Sequence, residues 1–441
     1  MRLIFQAIFT VVCLLLGMIR VTEAAVPAVR AVIAQDQHSV EITAPEGTSF
    51  FVDGRAGNLP FLPQAKRVIL AADNSGFSFN AMRFEATTLL LQAPEDKTIE
   101  VNRRSYRGAL LVRRNSGEDR FQVINQLPVE QYLYGVVPKE MPAAWPKEAL
   151  KAQAIAARSF ALALSAENKQ LAYDIPFGSQ VYGGFSAEQP ATTQAVNDTR
   201  GLILTDHGRC IQTYYFSVSG GYTESSEDAW GVAKSYLQAV PDVKTQAPQE
   251  TWERLFKPEM LDQLLVQSGF DIGALDSIQL SVLTMPPTAE ADRSASGRVR
   301  QIRLIGINGE VVLDGNRMRQ LLQLPSTLFD VSLVSQTPKN IETTITDSYG
   351  NPVLEKKIPV AVSDQPLVSL PADVQKNLHR VVRSDNTFIR FSGRGFGHGV
   401  GMSQWGAKTL AEQAAANEQN VYQRILEKYY QGVTLVKAYD E

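Results

Sequence analysis

Trp145-Pro146-Lys147-Glu148-Ala149-Leu150-Lys151-Ala152-Gln153-Ala154-Ile155-Ala156-Ala157-Arg158-Ser159-Phe160-Ala161-Leu162-Ala163-Leu164 reads as one long helix. Pro146 suits a first helical position, and Glu148 falls in the first turn, where the helix dipole favours an acid. From Ala149 onward the run is apolar on nearly every face, so the helix is buried and central to its domain. Its polar exceptions are Lys151, Gln153 and Arg158. Lys151 and Arg158 lie about two turns apart and share a face. Either they snorkel from a core helix, or that face lines a groove and bonds sugar hydroxyls or carboxyl groups.

Before this helix the signals are β-like. Short Val/Ile/Phe-rich runs at 39–43, 49–52, 67–70, 97–101, 109–113 and 121–124 are separated by Gly, Pro, Asn and Asp, which predicts a small β domain or flanking sheets. After it come a glycine loop at Tyr182-Gly183-Gly184, a polar helix at 192–197 and strand-like runs at 202–205 and 211–218. Further on, 258–265 reads as a helix, and 299–304 with 311–313 as a hairpin turning at Asn308-Gly309. Residues 336–377 lack such patterns and read as a polar insertion or linker, and 388–391 is a strand leading through glycines into a helix over 403–415. The expected architecture is α+β: β-rich structure around a central buried helix, with an N-terminal β-rich region over 25–105. A second domain is expected over 106–335, resuming over 378–441 beyond the insertion.

The chain has 441 residues, 44% apolar and 20% charged, ample for a buried core in two or three domains. Its 43 Lys and Arg against 46 Asp and Glu leave a formal charge of −3 and no basic face, so nucleic acid is not an expected partner. Residues 1–24 are different material: Arg2, an apolar run from Leu3 to Ile19, then Thr22-Glu23-Ala24. This is an export signal cut after Ala24 or, since the run approaches a membrane span, an uncleaved anchor. Either way the bulk is exported to the periplasm or cell wall. Arg2, Arg20 and Glu23 give the segment a net +1, so removing it takes the charge from −3 to −4. Cys13 lies inside it, leaving Cys210 alone, without an internal disulfide partner. Neither a metal site nor a cofactor is expected.

Three patterns bear on chemistry. Gly395, Gly397, Gly399 and Gly401 miss both the dinucleotide and the phosphate-loop spacings. They form either a tight structural turn or a loop presenting His398 and Ser403. Ser403 lacks the G-x-S-x-G elbow because Trp405 takes its last position, as does Ser219 before its two glycines. Glu140 stands in Pro138-Lys139-Glu140-Met141-Pro142, expected to be a turn. Burial among such neighbours would make it a proton donor near neutral pH, whereas exposure beside Lys139 would make it a simple surface ion pair.

The segment Leu127-Pro128-Val129-Glu130-Gln131-Tyr132-Leu133-Tyr134-Gly135-Val136-Val137-Pro138-Lys139-Glu140-Met141-Pro142, continued through the helix to Arg158, resembles the SpoIID/LytB family. Ser219-Gly220-Gly221-Tyr222-Thr223-Glu224, Trp230-Gly231, Ser296-Gly297-Arg298 and Gly397-His398-Gly399-Val400-Gly401-Met402-Ser403-Gln404-Trp405-Gly406-Ala407 agree in the same order. The resemblance implies a peptidoglycan lytic transglycosylase acting on the MurNAc–GlcNAc bond of peptide-stripped glycan strands, with Glu140 as its catalytic residue. It also implies that Lys151, Gln153, Arg158, Ser219, His398, Ser403 and Gln404 line the substrate groove, and that Tyr132, Tyr134 and Trp405 stack on sugars unless they merely pack. The family also contains amidase enhancers, so a non-catalytic peptidoglycan binder with a cell-wall amidase as partner is the alternative. A structural wall component using the β region for contacts is a third reading.

Overall fold

A computed structural model describes residues 26–57, 67–80, 82–114, 118–336, 340–346, 352–359, 367–369, 377–384 and 386–440. The expected signal over 1–24 lies outside them. The chain divides into two units: residues to Thr213 together with Val433–Glu441, and Tyr214–Gly432.

Alternating apolar positions fold the first unit's N-terminal part into two six-stranded antiparallel sheets. One runs, in spatial order, Ala28–Gln37, Phe121–Pro128, Ala109–Arg114, Thr88–Gln92, Ser49–Val52, Arg55–Gly57. The other runs Arg104–Tyr106, Ile99–Val101, Ser39–Thr43, Val68–Ala72, Phe77–Phe79, Met82–Phe84. Leu89, Leu91, Val112 and Val123 of the first share one core with Val40, Ile42, Leu70 and Val101 of the second. Edge-to-face pairs Phe77–Phe121 (5.9 Å) and Phe50–Phe79 (5.8 Å) join the two layers. The β-rich region thus extends to Pro128, because Ala109–Arg114 and Phe121–Pro128 are interior strands of the first sheet.

Pro128 feeds directly into helix α1 (Val129–Glu140), followed by α2 (Lys147–Glu167) and α3 (Pro190–Asp198). The long apolar run is α2, as its sequence predicts, with Pro146 at the N-cap. Ala149, Ala152, Ile155, Ala156 and Ala157 are fully buried. Leu202–Asp206 pairs antiparallel with Arg209–Cys210 on one side and with the C-terminal strand Thr434–Lys437 on the other. The run 211–218 is not a continuous strand: it contains the two-residue strand Tyr215–Phe216 and an isolated bridge at Val218.

The second unit holds α4 (Ser226–Trp230), α5 (Pro258–Gln267), α6 (Gly315–Leu322), α7 (Gln404–Glu412) and α8 (Val421–Tyr429). One antiparallel sheet runs Thr251–Phe256, Thr387–Arg394, Phe329–Gln336, Leu367–Ser369, and another Gly309–Asp314, Gln301–Gly306, Leu275–Gln279, Leu378–Arg380. Leu261 and Leu265 of α5 and Met318 and Leu322 of α6 share a core with Ile278, Leu304, Phe329 and Phe391. Within the patternless segment, Asn340–Thr346 pairs with Pro352–Pro359 as a hairpin. The fold class is mixed α+β, as expected.

Candidate functional site

Glu140 is not in a turn. It is the last residue of α1, whose end is set by Met141, extended at the C-cap, and by Pro142, which cannot continue a helix. The carboxyl group is half-buried, and its Oε1 accepts a hydrogen bond from the Val181 N–H at 2.9 Å. Glycine brings that donor within reach. A Cβ at Gly135 would meet the Gly184 carbonyl and the Tyr182 ring at 2.7 Å, so α1 and the Tyr182-Gly183-Gly184 loop approach backbone to backbone, and Gly183 N–H donates to the Gly135 carbonyl at 3.0 Å. Side chains hold the loop as well: Gln180 accepts from the buried Tyr132 hydroxyl (3.2 Å) and donates to the Ala157 carbonyl (3.3 Å), and the Tyr182 hydroxyl donates to Asn125 (2.7 Å). Tyr132 therefore packs, with its ring 4.7 Å from that of Tyr182, while Tyr134 donates to Asn197 (2.7 Å).

The polar residues of α2 separate by depth. Lys151, near the helix start, is half-buried with Nζ 2.9 Å from Glu148 Oε1. Gln153 is fully buried. Arg158 shares the face of Lys151 but lies where residues 196–202 cover the helix, and it is a core residue, not a groove residue. Its guanidinium grips Glu130 (3.0 and 2.7 Å) and donates to the carbonyls of Leu202 and Val196, both at 3.1 Å. Glu130 Oε1 also accepts from the Gly201 N–H (3.1 Å) and the Tyr439 hydroxyl (2.8 Å). The sequence pattern gives Glu130 no role, because Gly135 and Pro138 obscure the helix whose first turn it occupies.

Ser219, His398, Ser403 and Gln404 belong to the second unit. Backbone bonds align their two motifs: Val218 and Phe396 exchange N–H···O bonds (3.1 and 2.8 Å), Glu224 N–H donates to the Gly399 carbonyl (2.8 Å), and Tyr215–Phe216 pairs in parallel with Met402–Ser403. At Gly401, with φ +80°, a Cβ would fall on the Tyr214 carbonyl. Ser403 is buried as the N-cap of α7, accepting from the Gly406 N–H at 3.1 Å, so its oxygen serves the helix end and is not a poised nucleophile. Gln404 is the buried first residue of α7, and the Trp405 ring lies under Lys408 at 5.2 Å. Ser219 is buried, its Oγ accepting from the Gly221 N–H at 3.2 Å.

His398 is half-buried among Phe216 (5.5 Å), Trp230 (5.5 Å) and Tyr214 (6.3 Å). Nδ1 accepts from the Val400 N–H at 3.1 Å, so Nε2, 3.1 Å from the Tyr215 carbonyl, carries the proton of a neutral ring. Burial, with the nearby Arg298 charge adding to it, pushes its pKa down to about 4. Among the described residues no group of three or more His, Cys, Asp and Glu is placed to hold a metal. Cys210 Sγ contacts the Ser159 carbonyl at 3.3 Å, and burial raises its pKa to about 11. No described helix is long and apolar enough to cross a membrane.

The family model described as stage II sporulation protein matches residues 117–205, which include Glu140, Lys151, Gln153 and Arg158. An amidase enhancer of Bacillus subtilis (strain 168) is 33% identical over 313 residues, 69% of this chain and 40% of the enhancer. An uncharacterized protein of Brachyspira hyodysenteriae (strain ATCC 49526 / WA1) is 30% identical over 72% of this chain and 69% of its own length. The chain belongs to the SpoIID/LytB family. Stage II sporulation protein D of B. subtilis is 27% identical over 72% of this chain and 77% of its own length. The chain thus spans less than half of the amidase enhancer and most of the other two relatives. In SpoIID/LytB terms, the family model takes in α1 and α2 and leaves Ser219, His398, Ser403 and Gln404 outside its matched residues.

Proposed function

We propose that the protein is an exported cell-wall enzyme, a peptidoglycan lytic transglycosylase that cleaves the MurNAc–GlcNAc β-1,4 bond of peptide-stripped glycan strands. The supporting observation is Glu140: a half-buried carboxyl at a helix end, inside the family-matched residues, with one oxygen held by a backbone N–H. The carboxyl oriented in this way is the proton donor. Glu140 protonates the glycosidic oxygen as the C1–O bond breaks. The resulting carboxylate takes the proton of the MurNAc C6 hydroxyl as that oxygen bonds to C1, closing a 1,6-anhydro ring. The acid regains its proton within the cycle, so the step consumes no water and needs no second carboxylate. In this reading Lys151 contacts substrate, and the buried Gln153 and Arg158 position α1 and α2. His398 contacts substrate in the second unit, where Ser219, Ser403 and Gln404 shape the loop that carries it.

The likeness to an amidase enhancer favours a second reading, a glycan-binding protein that stimulates an amidase without cleaving bonds. Mass spectrometry of products from peptide-free glycan strands separates the two. The native protein is expected to release 1,6-anhydroMurNAc ends and Glu140→Gln to lose at least about a thousandfold in rate, more than the 10²–10⁴ typical range's lower end for a single acid–base group. Hydrated reducing ends would mean a hydrolase with a second carboxylate. Intact strands with both proteins, and amidase stimulation preserved in Glu140→Gln, would establish the enhancer reading.

A further inference from the structure

Arg298 is a buried cation with few partners. It is 1% exposed; Nη2 donates to the Ser219 carbonyl at 3.0 Å, Nη1 reaches Thr327 Oγ1 only at 3.5 Å, and Nε has no hydrogen-bond partner. Its neighbour Glu224 is occupied elsewhere: Oε2 accepts from the hydroxyls of Ser294 (2.6 Å) and Ser296 (2.9 Å), and Oε1 from the Ser225 N–H (2.8 Å). Burial raises the pKa of Glu224 and lowers that of Arg298 to about 10, each shift partly offset by the charge of the other group. A guanidinium offers five donors, and burying one without an ion partner is costly unless an anion reaches it.

There is room for one. Arg298 lines a cavity of about 270 Å³ within the second unit, together with Glu224, Asp228, Trp230, Asn316 and His398. That is just under the ~300 Å³ lower end for drug-sized ligands, a volume suited to one sugar residue. Gly399 lets the guanidinium fit: at φ +90°, a Cβ there would lie 2.6 Å from Cζ and Nε. Trp230, 40% exposed and packed on Tyr214 at 4.6 Å, supplies a flat wall. The acids at the rim are already matched, Asp228 by Arg300 Nε at 2.6 Å and Asp314 by the Arg317 N–H at 2.8 Å. The cation deep in the cavity is balanced only through space, by Glu224, and its Nε makes no hydrogen bond.

We propose that this cavity binds a carboxylate carried on a sugar, the acid seated against Arg298 and the ring against Trp230. The choice of sugar rests on the wall-glycan reading above, in which the group is the lactyl carboxylate of MurNAc. A stem-peptide terminal carboxylate has the same chemistry and is the other source. The test titrates the exported chain with the disaccharide GlcNAc-β-1,4-MurNAc, with N,N'-diacetylchitobiose, which has two N-acetylated rings and no carboxyl, and with D-alanyl-D-alanine, by calorimetry and tryptophan fluorescence. The muramyl disaccharide contains no MurNAc–GlcNAc bond, so binding is read independently of Glu140. It is expected to bind at least tenfold more tightly than N,N'-diacetylchitobiose, with Arg298→Gln reducing that preference to within twofold. Trp230→Ala, at a partly exposed side chain, is expected to weaken both sugars severalfold and serves should Arg298→Gln not fold. Equal affinity for both sugars, a preference that survives Arg298→Gln, or sugar binding undiminished by Trp230→Ala overturns the proposal. Arg298-dependent binding of the dipeptide alone overturns the lactyl assignment and keeps the carboxylate site. A native protein that binds the muramyl disaccharide as expected yet leaves glycan strands intact sinks the cleavage reading alone.

Discussion

Arg158 and Glu130 form a charged pair with side chains 0% and 2% exposed, and they respond to substitution as a unit. Removing one partner leaves the other charged and buried, which costs about 3–5 kcal/mol, whereas removing both leaves no orphan charge. Arg158→Met is therefore expected to lower unfolding free energy by roughly that amount, and Glu130→Gln/Arg158→Met by clearly less than the sum of the single changes, in a denaturant double-mutant cycle. Additive losses would mean the pair is not coupled. His398 titrates in the opposite sense to a salt-bridged histidine. Its folded pKa, about 4, lies below its unfolded value, so the unfolded chain binds the extra proton first. The stability it contributes is complete above pH 6.5 and is lost as pH falls toward 4, by at most roughly 2–3 kcal/mol. Thermal melts between pH 7 and pH 4 are expected to fall more steeply for the native chain than for His398→Asn.

At the scale of elements, α1 and the glycine loop make one device. The helix ends at Glu140 because of Met141 and Pro142, and the loop lies close enough to donate because position 135 has no side chain. Val181→Pro removes the N–H held by Glu140 Oε1. On the proposed function, kcat for glycan cleavage is expected to drop by about tenfold or more with KM nearly constant, since a freed carboxyl samples unproductive orientations. Val181→Ala keeps the N–H and is expected to hold the native kcat; a matching loss there would assign the effect to the side chain. The buried α2 behind this device was legible because its pattern is local: an apolar run with proline and an acid at one end. Helix α1 was not, since Gly135 and Pro138 lie inside it and its stability comes from packing against α2 and α3.

The first unit is closed by the last residues of the chain. Thr434–Lys437 pairs with Leu202–Asp206, and Tyr439 reaches Glu130 from 309 positions away in sequence. A chain ending at Gly432 loses that strand, exposes the edge of Leu202–Asp206 and deprives Glu130 of a hydrogen bond. Its melting temperature is expected to fall by several degrees in circular dichroism, with glycan cleavage falling alongside if Glu140 depends on the α1–α2 packing. An unchanged melt would show that the C-terminal strand is dispensable.

Short-range order was written in the chain: alternating runs made most of the N-terminal strands, the alanine-rich run made the buried α2, and the hairpin expected to turn at Asn308-Gly309 forms one residue earlier, at Ile307-Asn308. The family motif around Glu140 is what nominates it as the candidate acid. Tertiary structure decided what each polar residue does. Lys151 and Arg158 are equivalent on a helical wheel, yet one is half-buried and the other lies in the core, because residues 196–202 cover only one end of α2. Ser403 became a helix cap and Arg298 an under-partnered cation beside a cavity for the same reason: depth and partners are set by segments distant in sequence, and no local pattern encodes which of them will arrive.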